Sequence, residues 1–120
     1  MHLNGTKSEE LAEKYLLERN YTVHFRNKRF GRFEVDLVCQ EKDFIVFVEV
    51  KSLSSNRFKN PYDSVNASKQ KRIIKVADFV IRNYFPDQEC RFDVISIVVE
   101  RGKHHVEHII NAFTPEITNG

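Results

Sequence analysis

The sequence has few cysteine, proline and glycine residues: two, three and four, respectively, among 120 residues. The cysteines, Cys39 and Cys90, are far apart, which does not predict a Cys-rich metal site, and both are expected to be free thiols. No repeat, low-complexity tract or internal linker interrupts the chain. We therefore predict one domain over residues 1–120, with a core over about residues 5–113 and a frayed C-terminal tail.

Long apolar runs are also absent from the sequence. No stretch approaches the roughly 20 apolar residues that span a bilayer. The first ten residues are polar and contain no apolar segment of a secretory signal. The sequence therefore predicts a cytoplasmic protein with no membrane partner. Neither sign of charge is in large excess. The net charge of +2 is too small to indicate nucleic-acid binding by itself.

The hydrophobic pattern predicts a helix, three strands, a second helix and one or two further strands. The helices are predicted at residues 8–19, with Ser8 as N-cap, and at Ala67–Tyr84, with Asn66 as N-cap. Short connections favour an antiparallel meander for the first three strands, and the crossover through the second helix favours parallel pairing of the fourth. We therefore predict an α/β fold in which helices flank a mixed β-sheet. The predicted strands cover residues 21–26, 33–39, 44–51, 91–99 and 106–112, with a turn at 29–32 and a loop at 52–63.

Acidic side chains interrupt the second and third predicted strands near their C-terminal ends. Because side chains alternate along a strand, Glu34 and Asp36 are predicted to share one face of the second strand. In the third strand, Glu49 and Lys51 share a face with the residues at 45 and 47. The opposite face of the second strand is predicted to hold Phe33, Val35 and Leu37.

Carboxylates beside buried apolar positions are unfavourable unless they are paired or bind a metal. Lys51 can neutralise one carboxylate, but not all three of Glu34, Asp36 and Glu49. Two carboxylates on rigid strands, with converging oxygens, suit Mg²⁺ or Mn²⁺ completed by water and a substrate phosphate. The alternative is a structural salt bridge between Lys51 and Glu49 or Asp36, which residue types and spacing by themselves favour.

Basic residues cluster on both sides of these carboxylates in the sequence, which indicates a phosphate-binding surface, although solvated faces are an equal alternative for each cluster. Gln70 is a further candidate because it could reach the active-site water. Among the aromatic residues, Phe30, Phe33 and Phe58 are candidates for stacking on unpaired bases, with core or dimer packing favoured for Phe33. The predicted nucleic-acid-binding residues are Arg29, Arg32, Lys69, Gln70 and Arg72.

Two further groups of polar residues have structural interpretations. His104, His105 and His108 are predicted to lie on an exposed hairpin strand, which is favoured over a zinc site. Asp93 is a candidate to support Lys69 or Arg72 of the second helix, but a structural ion pair is favoured.

Four segments make the chain resemble a known family. Asp36 followed by Glu49-Val50-Lys51 resembles the PD-(D/E)XK nuclease core. The wider chain resembles the YraN-like family of small bacterial proteins, which are placed near archaeal Holliday-junction resolvases. The matching segments are Glu9-Glu10-Leu11-Ala12, Arg26-Asn27 with Glu34-Val35-Asp36-Leu37, Phe47-Val48-Glu49-Val50-Lys51 and Arg91-Phe92-Asp93-Val94.

This resemblance implies a restriction-endonuclease-like fold and a Mg²⁺- or Mn²⁺-dependent DNA endonuclease. Branched DNA, or DNA undergoing repair or recombination, is the implied substrate, and a homodimer is compatible with it. Asp36 and Glu49 are implied as metal ligands, Lys51 as the catalytic lysine, and Glu9 as a further acidic residue of the metal site. The alternative function is a non-catalytic nucleic-acid-binding protein with the same fold.

Some details of the resemblance leave alternatives open. Glu9 could instead be a first-turn glutamate favoured by the helix dipole. Glu34 matches the motif as a supporting residue without a defined role. The chain departs from the family pattern where Phe33 and Lys59 stand in place of residues that are commonly glycine. Both departures concern loops that would face the substrate.

Overall fold

The sheet of this protein contains five strands that lie side by side in sequence order. The structure, a computed structural model, describes residues 5–54 and 65–115. The sheet order is β1-β2-β3-β4-β5, with β3 and β4 parallel and the other neighbours antiparallel. This confirms the predicted α/β fold, the meander and the parallel crossover. The elements are α1 (Gly5–Glu18), β1 (Thr22–Phe30), β2 (Phe33–Glu41), β3 (Phe44–Ser54), α2 (Ala67–Tyr84), β4 (Glu89–Glu100) and β5 (Lys103–Phe113).

Helix α2 begins and ends where the sequence predicts. The Asn66 side chain accepts a hydrogen bond from the Lys69 backbone N–H at 2.9 Å, which confirms the predicted N-cap. The helix ends at Tyr84, two residues before Pro86, because proline cannot continue it. Its apolar stripe is buried against the sheet at Ile73, Val76, Ala77 and Val80.

Each face of the sheet is covered by one helix. Alternation in β3 follows the prediction: Ile45 and Phe47 pack on the α2 side, and Val46 and Val48 pack on the α1 side. Glu49 continues the α2-facing set, since it follows Phe47 by two positions. The α1-side cluster includes Ala12 and Leu16 from the helix, and the α2-side cluster includes Val35, Val38, Phe92 and Val94 from the sheet.

Strand β2 departs from the predicted alternation at its N-terminal half. Val35 packs in the α2-side cluster, whereas Leu37 packs in the α1-side cluster, so the predicted shared face is wrong. The paired positions of β2 and β3 end at Leu37 and Val48, while pairing with β1 continues to Phe33. Asn27, opposite this point in β1, has a left-handed φ of 51°. Asp36 therefore lies where β2 separates from β3 and changes its orientation.

The first helix and the first hairpin differ from the predicted boundaries. Helix α1 begins at Gly5, so Ser8 lies inside the helix with only 3% exposure and is not its N-cap. Strand β1 continues to Phe30 because its backbone pairs with β2 up to Phe33. The turn is therefore confined to Gly31 and Arg32, and Gly31 has the left-handed φ of 61° that favours glycine.

Strand β3 is longer than predicted. Its parallel pairing with β4 extends to Ser54 opposite Val99, so residues 52–54 belong to a strand and not to the predicted loop. The rest of that predicted loop, including Phe58 and Lys59, lies outside the described residues. Across the described ranges, no helix is both long enough and apolar enough to cross a membrane.

Candidate active site

The carboxylate of Asp36 lies in the gap between β2 and β3. Its Oδ2 accepts a hydrogen bond from the Val50 backbone N–H at 2.8 Å. In a continuous antiparallel pair, a backbone N–H that points toward the neighbouring strand binds a carbonyl of that strand. Here the Asp36 side chain takes that place. The separation of the strands therefore creates both the space for this carboxylate and the bond that fixes it beside β3.

Glu49 is the second carboxylate of the site and is only 5% exposed. Its Oε1 lies 2.7 Å from the Lys69 Nζ, while its Oε2 is buried and has no hydrogen-bond partner among the described residues. Burial and the nearby Asp36 carboxylate raise the pKa of Glu49 to about 7, against the opposing effect of Lys69. The site therefore contains a buried oxygen and two neighbouring carboxyl groups, whose ionised forms a cation would stabilise.

Two lysines approach these carboxylates from different elements. Lys69, in the first turn of α2, forms the ion pair with Glu49. Lys51, two residues after Glu49 in β3, is half-buried, and both burial and the adjacent Lys69 ammonium lower its pKa. Within the described parts of the chain, Lys51 forms no ion pair, so the predicted alternative of a Lys51 salt bridge is not present. A half-buried amine of lowered pKa beside carboxylates is suited to proton transfer.

Glu9 approaches Asp36 from α1. Burial and the Asp36 carboxylate raise the pKa of Glu9, and a hydrogen bond from Asn27 opposes this. The first turn of α1 contains no acidic residue, so the helix dipole does not account for Glu9. Among the residues that the structure describes, however, no three His, Cys, Asp or Glu side chains are grouped to hold one metal ion. Asp36 and Glu49 are the two carboxylates that lie together beside β3, and metal binding by them, or by Glu9, stays a prediction.

A cavity of about 390 Å³ opens between the β1–β2 hairpin and the N-terminal half of α2. Three of the predicted nucleic-acid-binding residues line it, and one of them, Lys69, also contacts Glu49. Lys69 thus connects this basic cavity to Glu49. Its lining residues are Arg32, Phe33, Glu34, Lys69, Arg72 and Ile73.

The other predicted residues around the site have structural partners. Arg29 and Glu34 form an ion pair with an Nε–Oε2 distance of 2.9 Å, so their charges offset each other on the hairpin. The Gln70 side chain donates from Nε2 to the Val65 carbonyl at 3.1 Å. Gln70 therefore holds the backbone that enters α2, and its predicted contact with an active-site water stays a prediction.

The sequence did not indicate Lys69 as the partner of Glu49, nor Asn27 and the Val50 N–H as contacts of the acidic group. The Asn66 cap correctly placed Lys69 in the first helical turn, but the distance from that turn to β3 depends on tertiary packing. The identity of Asn27 was a weak indication of an irregular backbone at this point of β1, because asparagine tolerates a left-handed backbone better than most residues.

A second polar cluster lies on the α1 side of the sheet. Asp93 forms an ion pair with Arg91 at 2.9 Å, and its Oδ2 accepts from the His108 Nε2 at 2.7 Å. The structural ion pair is therefore confirmed, whereas the predicted support of α2 by Asp93 is wrong. His104 and His105 are exposed as predicted, but His108 is not, since its side chain is only 6% exposed.

Comparison with known sequences places these features in a family. A sequence model of the uncharacterised protein family UPF0102 matches residues 8–97. A UPF0102 protein of Syntrophomonas wolfei is 44% identical over 112 residues, covering 91% of this chain and 96% of the relative. Another, from Phocaeicola vulgatus, is 37% identical over 113 residues, covering 94% of this chain and 93% of the relative.

A third relative, the UPF0102 protein of Clostridium beijerinckii, is 40% identical over 113 residues, covering 91% of this chain and 91% of the relative. The matched region contains Glu9, Asp36, Glu49, Lys51 and Lys69, so every side chain of the acidic site lies within it. The expected resemblance to the YraN-like family is confirmed. The chain belongs to the uncharacterised protein family UPF0102.

Proposed function

We propose that this protein is a metal-dependent endonuclease that hydrolyses phosphodiester bonds in DNA. The observation that carries the proposal is the buried Glu49 Oε2, which lacks a hydrogen-bond partner in the described structure and lies beside the Asp36 carboxylate. The resemblance of Asp36 and Glu49-Val50-Lys51 to the PD-(D/E)XK nuclease core supports the same conclusion. Branched DNA, or DNA undergoing repair or recombination, is the substrate class that this resemblance implies.

Asp36 and Glu49 would hold Mg²⁺ or Mn²⁺. These ions prefer carboxylate oxygens, and a divalent charge would offset both the burial and the repulsion by Asp36 that raise the pKa of Glu49. Both carboxylates are held in position for such an ion, because the Val50 backbone N–H binds Asp36 and Glu49 lies within β3. When bound, such an ion polarises the phosphodiester and lowers the pKa of a water molecule.

The protein side chains supply the remaining chemistry. Because the pKa of Lys51 is lowered, its neutral amine would accept the proton of the attacking water. Its ammonium form would stabilise negative charge that develops on the phosphate. Lys69 holds Glu49 in place at 2.7 Å. Arg32 and Arg72 line the adjoining cavity and would bind the flanking phosphates through charged hydrogen bonds.

A cleavage panel tests this proposal. The purified protein is incubated with branched, flapped and single-stranded DNA in Mg²⁺, Mn²⁺ or EDTA, together with Asp36→Asn and Lys51→Ala. We expect cleavage only with a metal, and a loss of at least about 10²-fold in both variants. Asp43→Asn is the matched control, because Asp43 is an exposed acid in the β2–β3 turn, at the end of the sheet away from Asp36.

Metal binding is measured separately from turnover. Mn²⁺ should raise the melting temperature of the wild type and of Asp43→Asn, and should have no effect on Asp36→Asn. Cleavage at equal rates by wild type and Asp36→Asn would show a contaminating nuclease and contradict the proposal. Absence of both cleavage and the Mn²⁺ effect would also contradict it.

A second candidate function is nucleic-acid binding without catalysis. The observation that favours it is the Lys69–Glu49 ion pair, because an internal ammonium already offsets the charge of the carboxylate that would bind metal. This function predicts tight DNA binding that falls steeply with salt, no cleavage with any metal, and no stabilisation by Mn²⁺.

A further inference from the structure

Aromatic side chains line the seam between the β1–β2 hairpin and α2, beside the candidate active site. Phe30, at the end of β1, is 43% exposed and stacks on Phe79 of α2 with ring centres 4.9 Å apart. Tyr84, at the end of α2, is 46% exposed. We call this surface the aromatic seam. It consists of Lys28, Phe30, Arg32, Phe33, Arg72, Lys75, Phe79 and Tyr84.

Cations lie on the ring faces along the aromatic seam. The Lys28 Nζ lies 4.6 Å from the Tyr84 ring centre and donates a hydrogen bond to the Tyr84 hydroxyl at 3.1 Å. The Lys75 Nζ lies 5.5 Å from the centre of the Phe33 ring, and the Arg32 guanidinium lies 5.8 Å from it. Aromatic faces and positive charges therefore alternate over a short distance.

The seam is continuous with the candidate active site. A second cavity, of about 530 Å³, opens between Phe30 and the C-terminal half of α2 and is lined in part by Lys75. Phe33 lines the first cavity, so the contact between Lys75 and Phe33 joins the two. The first cavity ends at Lys69, which contacts Glu49. The two cavities and Lys69 thus connect the exposed Phe30 ring to Glu49 and its neighbour Asp36.

Positive charge on this path exceeds negative charge. Asp78 in the second cavity is paired with Arg82 at 3.0 Å, and Glu34 in the first is paired with Arg29. Arg32, Arg72 and Lys75 have no carboxylate partner within residues 5–54 and 65–115. The surface is therefore complementary to a polyanion, even though the whole chain carries a net charge of only +2.

We propose that the aromatic seam binds single-stranded DNA, with an unpaired base stacked on Phe30 and the phosphates on Arg32, Arg72 and Lys75. Bases inside a duplex already have their faces covered, so exposed rings are useful only to unpaired bases. In a symmetric dimer the seam would face its own copy and bring the like charges of Arg32, Arg72 and Lys75 together, so these cations favour a polyanion over a second copy. The inference rests on the proposed nuclease function, because the aromatic seam would guide a single strand to Asp36 and Glu49.

Binding of a fluorescent oligothymidine, and of a duplex of the same length, tests this inference by anisotropy in EDTA. Phe30→Ala should lose about tenfold in affinity for the single strand and little for the duplex. Phe30→Trp should retain the affinity. The matched control is Phe44→Ala: Phe44 is 36% exposed and has the Arg91 guanidinium 5.8 Å from its ring, but lies at the opposite end of the sheet.

Two results would overturn the inference. One is wild-type affinity of Phe30→Ala for the single strand, or a loss equal to that of Phe44→Ala. The other is a dimer in sedimentation experiments that Phe30→Ala dissociates and that excludes DNA, which would assign the surface to a second copy. Because EDTA prevents metal-dependent cleavage, binding is measured whether or not the protein is a nuclease. Failure of the nuclease proposal would instead appear in the cleavage panel, with single-strand binding intact.

Discussion

Asp93 is a buried charged residue whose hydrogen bonds come from three directions. Its side chain accepts from Arg91 at 2.9 and 3.0 Å, from His108 at 2.7 Å and from the Asn111 backbone N–H at 3.0 Å. Burial alone would raise the pKa of Asp93, but the bonds from His108, Arg91 and Asn111 lower it below the ordinary value. The ionised form of Asp93 is therefore stabilised by folding.

Replacing Asp93 with asparagine should destabilise the protein by about 1–3 kcal/mol at neutral pH, because the buried Arg91 and His108 donors lose their charged acceptor while Arg91 keeps its ion pair with Glu41 at 3.0 Å. The folded pKa of Asp93 lies below its unfolded value. Its stabilisation is therefore present above the unfolded pKa and is lost as the pH falls through the folded pKa. The difference between wild type and Asp93→Asn should shrink in acid. Urea unfolding at neutral and at acidic pH measures this difference.

The control for this prediction is Asp78→Asn. Asp78 also pairs with an arginine, Arg82, at 3.0 Å, but both side chains are exposed on α2. Exposed pairs of this kind contribute at most about 0.5 kcal/mol. Equal destabilisation by Asp93→Asn and Asp78→Asn at neutral pH would show that the buried cluster does not stabilise the fold.

At the scale of whole elements, α2 depends on its N-terminal cap for its start and thus for the position of Lys69. Asn66→Ala removes the 2.9 Å bond to the Lys69 N–H and should destabilise the protein by about 1 kcal/mol, which lowers the melting temperature by about 3–5 °C. Asn66→Asp keeps a capping oxygen and should stay near wild type.

A second asparagine of the same helix provides the comparison for the cap. Asn83, near the C-terminal end of α2, is exposed, and its side chain only binds the Phe79 carbonyl of the preceding turn. Asn83→Ala should change stability little, because alanine has the higher helix propensity. A melting temperature of Asn66→Ala no lower than that of Asn83→Ala would contradict the capping role.

Secondary structure was predictable where local signals determine it. The bounds of α2 followed from Asn66, the helical spacing and Pro86. Strand β3 was predicted too short because its last three residues are held by pairing with β4, which is remote in sequence. The change of side-chain orientation in β2 near Asp36 was not predictable, since it accompanies the left-handed backbone of Asn27 on the neighbouring strand.

The candidate site shows the same division between local and remote causes. Strand alternation correctly placed Glu49 and Lys51 on one face of β3, and the motif pointed to Asp36. The ion pair of Glu49 with Lys69 depends on how α2 packs against the sheet, which no local pattern specifies. The roles of Asp36, Glu49 and Lys51 therefore stay predictions, and the salt bridge that the sequence left open for Lys51 is formed by Lys69 instead.

At the scale of the molecule, the site lies where elements from both faces of the sheet meet. Glu9 approaches Asp36 from α1, and Lys69 approaches Glu49 from α2. This convergence is possible because β2 separates from β3 beyond Leu37 and leaves a gap in the sheet. The two helices thus influence the same pair of carboxylates although they pack on opposite faces.

Binding of DNA by this protein should depend on where its charges lie, because the net charge is only +2. Lys75→Glu and Lys42→Glu both lower that charge by the same amount. Lys75 lies on the aromatic seam, whereas Lys42 is exposed in the β2–β3 turn at the other end of the sheet. If Lys75 contacts one phosphate, only Lys75→Glu should weaken single-strand binding and reduce the dependence of log K on log salt by about 0.7. Titrations at several salt concentrations measure both slopes, and equal slopes for the two variants would mean that the seam does not bind the phosphates.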